Sequence, residues 1–171
     1  MTDAVPSAAL RVCVVCAGNI CRSPMAEVVL RAQLAEAGLS DLVAVDSAGT
    51  GSWHEGQPAD PRAVAALASV GLDGRGHRAR VFQPQWLAER DLVVVMDTTN
   101  LADLTRMARG RPPDGRLRLL REWDPASEGS AEVPDPYFGD DRDFASVLAT
   151  VRRSTAGLVD ELARRAGDHS G

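Results

Sequence analysis

A thiol and a guanidinium stand six positions apart near the start of this chain. Cys16 ends a run of β-branched residues, and Arg22 follows it after the five residues 17–21, just before Ser-Pro and an apolar helical pattern. The pattern predicts a strand, a tight loop and a helix start. Such a loop can present its backbone N–H groups to a tetrahedral oxyanion. Cys16 would then attack phosphorus as a nucleophile, while Arg22 binds two equatorial oxygens with its planar fork.

The residues around this pair strengthen an interpretation that the spacing alone supports weakly. Gly18 and Asn19 tolerate the positive φ that a loop closing around an anion requires. Ser23 could donate a hydrogen bond to a thiolate and cap the next helix, and Pro24 suits the first helical position. The alternative is a buried strand cysteine with an unrelated surface arginine.

A second candidate lies far along the chain, in the segment 133–141. A leaving phenolate needs a proton, because its conjugate acid has a pKa of about 10. Asp135 stands between two prolines, which stiffen its loop, and Tyr137 and Phe138 follow it as a possible wall for an aromatic substrate. Asp135 is therefore a candidate general acid. The alternative is a turn aspartate, which is common in proline-rich loops.

Composition limits the other function classes. The net charge of −5 over 171 residues argues against a general nucleic-acid binder, and all 19 basic residues are arginine, which excludes lysine Schiff-base chemistry. The three histidines show no metal-ligand spacing, so we expect neither a metal nor a cofactor. No apolar run suggests a membrane span, and the N-terminal residues do not resemble a signal peptide.

The three cysteines lie within nine residues and make a poor disulfide framework. A reducing cytoplasm fits them best, and we expect a monomer. Cys13 and Cys16 also form a C-x-x-C pair, but a thioredoxin-like motif would open the helix directly. Cys13 should point to the opposite face of its strand and simply pack there.

Strand and helix patterns alternate, which predicts an α/β fold with a parallel sheet and an active site at the carboxyl ends of its strands. The predicted strands are Arg11–Cys16, Leu42–Ser47, Leu92–Met96 and Leu117–Leu120. The predicted helices are Pro24–Ala37 ending at Gly38, Pro61–Val70 ending at Gly71, a short Pro84–Glu89, one capped by Thr98 or Thr99 and reaching about Arg109, and a long final helix after a loop from Trp123 to Asp143. We expect a single domain over residues 1–171, with short disordered termini at about 1–9 and 166–171.

Several separated segments resemble the low-molecular-weight protein tyrosine phosphatases, the bacterial branch in particular. The matching segments, in order, are Cys16–Glu27, Asp46–Thr50, Val95–Asp97 and Asp135–Gly139. The resemblance covers roughly residues 12–162. It implies a three-layer α/β fold with a four-stranded parallel sheet flanked by helices and a phosphate-binding loop after the first strand.

The same resemblance implies an activity and a role for each site residue. The activity is hydrolysis of phosphotyrosine in protein substrates through a phosphocysteine, with Cys16 as nucleophile, Arg22 as phosphate clamp, and Asp135 as general acid and later base. The implied phosphate-binding residues are Ala17, Gly18, Asn19, Ile20, Cys21, Arg22 and Ser23. The residues implied to shape the loop from behind are Asn19, Ser23, Ser47 and His77. The residues implied to line the substrate cleft are Ala17, Trp53, Tyr137 and Phe138.

Cys21 is implied to form a protective, reversible disulfide with Cys16 under oxidation. Simpler roles remain open for three residues: Cys21 as a small buried apolar side chain, His77 as an exposed loop histidine, and Trp53 as part of the core.

Other activities share this architecture. Arsenate reductases of the same fold relay a disulfide through two further cysteines, and this chain has none after Cys21. Protein-arginine phosphatases typically carry Thr where this chain has Ile20, and the apolar side chain favours an aromatic phosphoester. A phosphate-sensing module without catalysis is a third alternative, against which Cys16, Arg22 and Asp135 all argue.

Overall fold

The apolar run before Cys16 forms a central strand of a parallel sheet. The computed structural model describes residues 9–110 and 115–169 of the chain. The strands are β1 (Leu10–Cys16), β2 (Val43–Gly49), β3 (Leu92–Val95) and β4 (Leu117–Leu119). Their order is β2-β1-β3-β4, and every neighbouring pair is parallel, which confirms the four-stranded parallel sheet.

Helices cover both faces of this sheet. They are α1 (Arg22–Glu36), α2 (Pro61–Ser69), α3 (Trp86–Glu89), α4 (Thr98–Met107) and α5 (Asp141–His169), with a 3₁₀ turn at Leu120–Trp123. Side chains at alternate positions of β1 point to opposite faces. Val14 and Cys16 pack with α1 and α5, whereas Cys13 and Val15 pack with Phe82 and α4. The three-layer α/β fold is confirmed, and Cys13 is a fully buried packing residue on the face opposite Cys16.

Helix α1 begins two residues earlier than the sequence suggests. Its N-cap is Cys21, which makes no side-chain cap hydrogen bond, so Ser23 is not the cap and Pro24 takes the third helical position. The Ser23 hydroxyl is unavailable for capping because it contacts Cys16 and Asn19 instead. The predicted helix end at Gly38 is confirmed, since this glycine follows the C-cap with φ of 73°.

Helices α4 and α5 also differ from expectation at their ends. Asp97, rather than Thr98 or Thr99, caps α4 by accepting from the backbone N–H of Asn100. Helix α5 begins at Asp141, where Asp140 and Asp143 accept each other's backbone N–H groups as a reciprocal cap.

The disordered C-terminal tail predicted from residue 166 is wrong for residues 166–169. Helix α5 continues to His169, because Ala166 still packs against the core at 6% exposure. At the other end of the chain, residue 9 is described, and residues 1–8 and 170–171 lie outside the described part. No helix within the described ranges has the length and apolarity that a membrane crossing requires.

Candidate active site

The loop between β1 and α1 lies at the carboxyl edge of the sheet, as the sequence predicts. Of the two residues expected to have positive φ, only Asn19 does, at 58°. A Cβ on Gly18 would lie 2.9 Å from the His54 ring, so a larger residue there would require the ring to move. Thr50 and Gly51 donate backbone hydrogen bonds to the carbonyls of Cys16 and Ala17, which joins the loop after β2 to this one.

Asn19 is buried and organises the loop from behind. Its side-chain amide donates to Ser23 Oγ at 2.7 Å and to Ser47 Oγ at 3.0 Å, and its side-chain oxygen accepts from the backbone N–H of Arg80 at 3.0 Å. These contacts hold the left-handed backbone conformation in place. Arg80 was not singled out by the sequence, because a backbone donor leaves no trace in residue type.

His77 supports the same residue from the other side. Its Nε2 lies 2.7 Å from the backbone carbonyl oxygen of Asn19, and because a carbonyl can only accept, Nε2 must carry the proton. Burial lowers the pKa of His77, and the nearby Arg78 and Arg80 act in the same direction. The half-buried ring is thus a neutral donor to the loop rather than an exposed loop histidine.

Cys16 lies at the base of the loop and is 3% exposed. Ser23 Oγ is 3.0 Å from its sulfur. The same Oγ accepts from Asn19, so the hydroxyl proton is free to be donated to the sulfur, and the alternative acceptor, the Ala48 carbonyl oxygen, is farther at 3.5 Å. Ser23 is therefore placed to donate a hydrogen bond to the Cys16 sulfur.

Arg22 is almost fully buried, and its guanidinium is hydrogen-bonded to two groups and lies near a third. One terminal nitrogen donates to Asp97 Oδ2 at 2.7 Å and to the Val133 carbonyl at 2.9 Å, and the other lies 3.7 Å from Asp135 Oδ2. Burial alone would lower the pKa of Arg22, but the charges of Cys16, Asp97 and Asp135 outweigh it, and the pKa lies above its usual value. Arg22 is therefore a fixed cation beside the sulfur.

Asp97 lies in one of the segments that match the family, but the sequence alone indicates no role for it. Its two carboxylate oxygens have different partners: Oδ1 caps α4 and Oδ2 binds Arg22. Its position just after a buried strand could have indicated a site residue, because the carboxyl ends of parallel strands meet at one edge of the sheet.

The backbone N–H groups of the loop itself are available to a ligand. Within the described part of the chain, none of the N–H groups of residues 17–23 donates to a backbone or side-chain acceptor. Adjacent N–H groups without protein partners next to a buried guanidinium and a helix N-terminus form a site suited to a phosphate-sized anion.

Asp135 faces Arg22 across the site. Its Oδ1 accepts from the Tyr137 backbone N–H at 3.1 Å, while its Oδ2 is the atom nearest Arg22. The carboxylate thus makes the local turn of the alternative interpretation and also borders the site. Val133 anchors the start of this segment, because its N–H donates to the Met96 carbonyl at the end of β3.

A cleft of about 330 Å³ opens over the loop. Its lining includes Cys16, Arg22, Asp135 and all four residues predicted to border it, namely Ala17, Trp53, Tyr137 and Phe138. Trp53 is 70% exposed and Phe138 is 96% exposed, so neither belongs to the core. His54 also lines the cleft, and its Nδ1 lies 2.9 Å from Gln57 Oε1. The sequence gives no sign of this role, because a lone loop histidine has no distinguishing pattern.

Cys21 lines the cleft as well and is a buried free thiol, like Cys13 and Cys16. Burial raises the pKa of Cys21 to about 12, and the charges of Asp60 and Cys16 contribute to the rise. Cys21 is therefore protonated at neutral pH. Among the described residues, no cluster of three or more His, Cys, Asp or Glu side chains could hold a metal ion.

Comparison with known proteins decides the family. The model for "Low molecular weight phosphotyrosine protein phosphatase" matches residues 11–167. This chain belongs to that family. It is 51% identical over 150 residues to a low molecular weight protein-tyrosine-phosphatase of Streptomyces coelicolor, an alignment that covers 87% of this chain and 91% of the relative. It is 43% identical to low molecular weight protein-tyrosine phosphatase A of Mycobacterium tuberculosis, covering 92% and 96%.

Solved structures agree with this assignment to the low molecular weight phosphatases. YfkJ of Bacillus subtilis superposes with a TM-score of 0.83 at 31% identity and covers 92% of this chain and 96% of that one. A protein tyrosine phosphatase of Entamoeba histolytica, solved with Hepes in its active site, superposes with a TM-score of 0.84 at 29% identity, covering 92% and 99%. The fold expected of the family is the fold observed.

Proposed function

We propose that this low molecular weight phosphatase hydrolyses aryl phosphate monoesters, phosphotyrosine in proteins above all, and that Cys16, Arg22 and Asp135 perform the chemistry. One observation carries the assignment of residues. A buried cysteine and a buried guanidinium border one cleft, together with a loop whose N–H groups have no acceptor among the described residues, and a carboxylate lies across it. Membership of the family supports the reaction itself.

In the first step, Cys16 attacks phosphorus in line with the phenolic leaving group. The bond from sulfur to phosphorus forms as the bond from phosphorus to the aryl oxygen breaks, and Asp135 gives its proton to that oxygen. Arg22 and the loop N–H groups bind the equatorial oxygens, where charge must be stabilised in the transition state. Asp97 keeps the guanidinium in position for this role.

In the second step, water attacks the phosphocysteine. Asp135, now ionised, takes a proton from that water, the sulfur–phosphorus bond breaks, and inorganic phosphate leaves with Cys16 restored as a thiolate. Ser23 stabilises the departing sulfur because its hydroxyl lies 3.0 Å from it. The exposed Trp53 and Phe138 contact the aromatic ring of the substrate in the first step, before the phenol leaves.

The alternative activities, arsenate reduction and hydrolysis of phosphoarginine, are less well supported. The relatives reported above are named as tyrosine phosphatases, and no cysteine follows Cys21 to serve an arsenate-reductase relay. Ile20 lines the cleft, where its apolar side chain suits an aryl group better than a charged phosphoguanidinium. Cytoplasmic location and a monomeric state stay predictions.

Cys21 has a proposed redox role. It borders the cleft beside Cys16, and we expect peroxide to join the two sulfurs in a disulfide that dithiothreitol reverses. In the Cys21→Ser variant, peroxide should inactivate irreversibly. Irreversible loss in both proteins would reject the protective disulfide.

The decisive experiment follows hydrolysis of phosphotyrosine and of two aryl phosphates, one with a good leaving group (p-nitrophenolate) and one with a poor one (phenolate). The wild-type protein should turn over all three, and Cys16→Ser should turn over none. Asp135→Asn should lose about 100-fold or more in kcat/KM with the poor leaving group and much less with the good one. Asp160→Asn, on the exposed face of α5, is the matched control. An inactive wild type, or turnover by Cys16→Ser, would reject the mechanism.

A further inference from the structure

Arg62 stands at the start of α2, outside the residues that touch the phosphate site, yet its guanidinium is extensively bound. Asp60 caps α2, and its carboxylate accepts from Arg62 Nε at 3.0 Å and from a terminal nitrogen at 2.9 Å. This two-point pairing fixes the plane of the guanidinium. The remaining N–H groups of the guanidinium point toward another part of the chain.

These N–H groups bind the segment that carries Asp135. One terminal nitrogen of Arg62 donates to the Tyr137 carbonyl at 2.9 Å, and the other donates to the Gly139 carbonyl at 2.9 Å. The guanidinium carbon also lies 4.5 Å from the centre of the Phe144 ring, at the start of α5. Arg62 therefore links α2 to the residues immediately after Asp135.

At its other end, the connection made by Asp60 and Arg62 reaches the loop between β1 and α1, called the nucleophile loop below. The backbone N–H of Asp60 donates to the Ile20 carbonyl at 2.8 Å. A continuous path of hydrogen bonds thus runs from Ile20 through Asp60 and Arg62 to Tyr137. Tyr137 in turn donates its N–H to Asp135 Oδ1.

Asp135 itself has few contacts that could fix its position. Its side chain is 49% exposed, and Arg22 is 3.7 Å away, beyond hydrogen-bonding distance. A general acid must stand within hydrogen-bond reach of the leaving oxygen, and displacement by about 1 Å can cost a large factor in rate.

We infer that Arg62 is a positioning residue that sets the distance between the carboxyl of Asp135 and the sulfur of Cys16, by holding the Tyr137 and Gly139 carbonyls against α2. This inference rests on the proposed function, in which Asp135 is the general acid. It assigns Arg62 no contact with substrate.

The chain supplies a matched control in the segment Asp73-Gly74-Arg75. Arg75 pairs with Asp73 in the same geometry, through its backbone N–H at 3.0 Å, its Nε at 2.9 Å and a terminal nitrogen at 3.0 Å. Among the described residues, the guanidinium of Arg75 binds Asp73 alone. Arg75→Ala therefore removes an equivalent local pair without touching the Asp135 segment.

The test measures kcat/KM for the two aryl phosphates in wild type, Arg62→Ala, Arg62→Lys and Arg75→Ala. Arg62→Ala should lose about 10-fold or more with the phenolate leaving group and 3-fold or less with p-nitrophenolate, because only the former depends on proton donation. Arg62→Lys should lose less in the same direction, since an ammonium lacks the planar fork. The inhibition constant of vanadate should change little in either variant, because the nucleophile loop is retained.

A double-mutant cycle separates positioning from general destabilisation. Adding Arg62→Ala to Asp135→Asn should cost less than 2-fold beyond Asp135→Asn alone, because the acid is already absent. An equal loss with both leaving groups, a loss matched by Arg75→Ala, or full additivity in the cycle would overturn the role of Arg62. A wild type that hydrolyses neither ester would instead overturn the proposed function, so the two failures are distinguishable.

Discussion

The hydroxyl oxygen of Ser23 lies 3.0 Å from the sulfur of Cys16. Both residues are buried, and Asn19 donates to the same hydroxyl oxygen from behind. With its oxygen already accepting, Ser23 can give its own proton to the sulfur. In the proposed mechanism, the nucleophile is therefore prepared by a side chain inside the first turn of α1, which would ordinarily be assigned to helix capping.

Replacing Ser23 with Ala should slow both turnover and alkylation of Cys16. A hydrogen bond to a charged group contributes about 1.5–3 kcal/mol, which corresponds to about 10- to 100-fold in rate. The measurement is the rate of iodoacetate alkylation at pH 6, with kcat/KM for p-nitrophenyl phosphate measured in parallel. Ser69→Ala, whose hydroxyl binds a local carbonyl on α2, serves as the control. An unchanged alkylation rate in Ser23→Ala would remove this donor from the mechanism.

The two roles of Asp97 can be separated by two substitutions. Both variants leave the buried Arg22 without its charged partner and should therefore lower the free energy of unfolding. Asp97→Ala also removes the cap of α4 and should be less stable than Asp97→Asn, which retains a capping oxygen, by about 0.5–2 kcal/mol. Both variants release Arg22 from its charged partner and should lose about 10-fold or more in kcat/KM. Urea unfolding and steady-state kinetics measure the two effects, and wild-type kinetics in both variants would contradict the role given to Asp97.

Gly51 determines where the Trp53 indole can lie. A Cβ built on Gly51 would overlap the six-membered ring of Trp53. Gly51→Ala should therefore displace the indole and raise KM for phosphotyrosine about as much as Trp53→Ala does. The inhibition constant of inorganic phosphate should not change, because phosphate does not reach the rim. Gly167→Ala, where a Cβ meets nothing within 4 Å, is the control. If KM rises in Trp53→Ala alone, Gly51 has no part in forming the cleft.

The buried thiols make stability fall at alkaline pH. Burial raises the pKa of Cys21 to about 12 and also places that of Cys13 well above its ordinary value. Between pH 9 and 11 the unfolded chain has lost these protons while the folded protein keeps them, so the free energy of unfolding must decrease as pH rises. Urea titrations across that range should show a shallower decrease in Cys21→Ala than in wild type. Parallel decreases in the two proteins would show that Cys21 does not contribute.

Much of this fold follows from local patterns. The β-branched run before Cys16 has to be buried on both faces, which places it inside a parallel sheet, and alternation with amphipathic segments predicts the covering helices. Gly38 and Gly71 mark helix ends because their positive φ is a local requirement. The loop between β1 and α1, which we propose to bind phosphate, also follows from a local pattern, because the residues that build it are consecutive.

Tertiary structure decided what distant residues do for that loop. Asp97 binds Arg22 across 75 positions of sequence and Arg62 reaches Tyr137 across another 75, and neither pairing follows from residue type or spacing. The helix starts depend on tertiary contacts for the same reason. Ser23 is a good capping residue, but its hydroxyl contacts the Cys16 sulfur instead. Asp97 uses one oxygen for Arg22 and the other for the cap of α4. Sequence alone determined which groups are present and which are neighbours along the chain. Only folding determined which of them meet, because a hydrogen bond depends on distance and angle between elements.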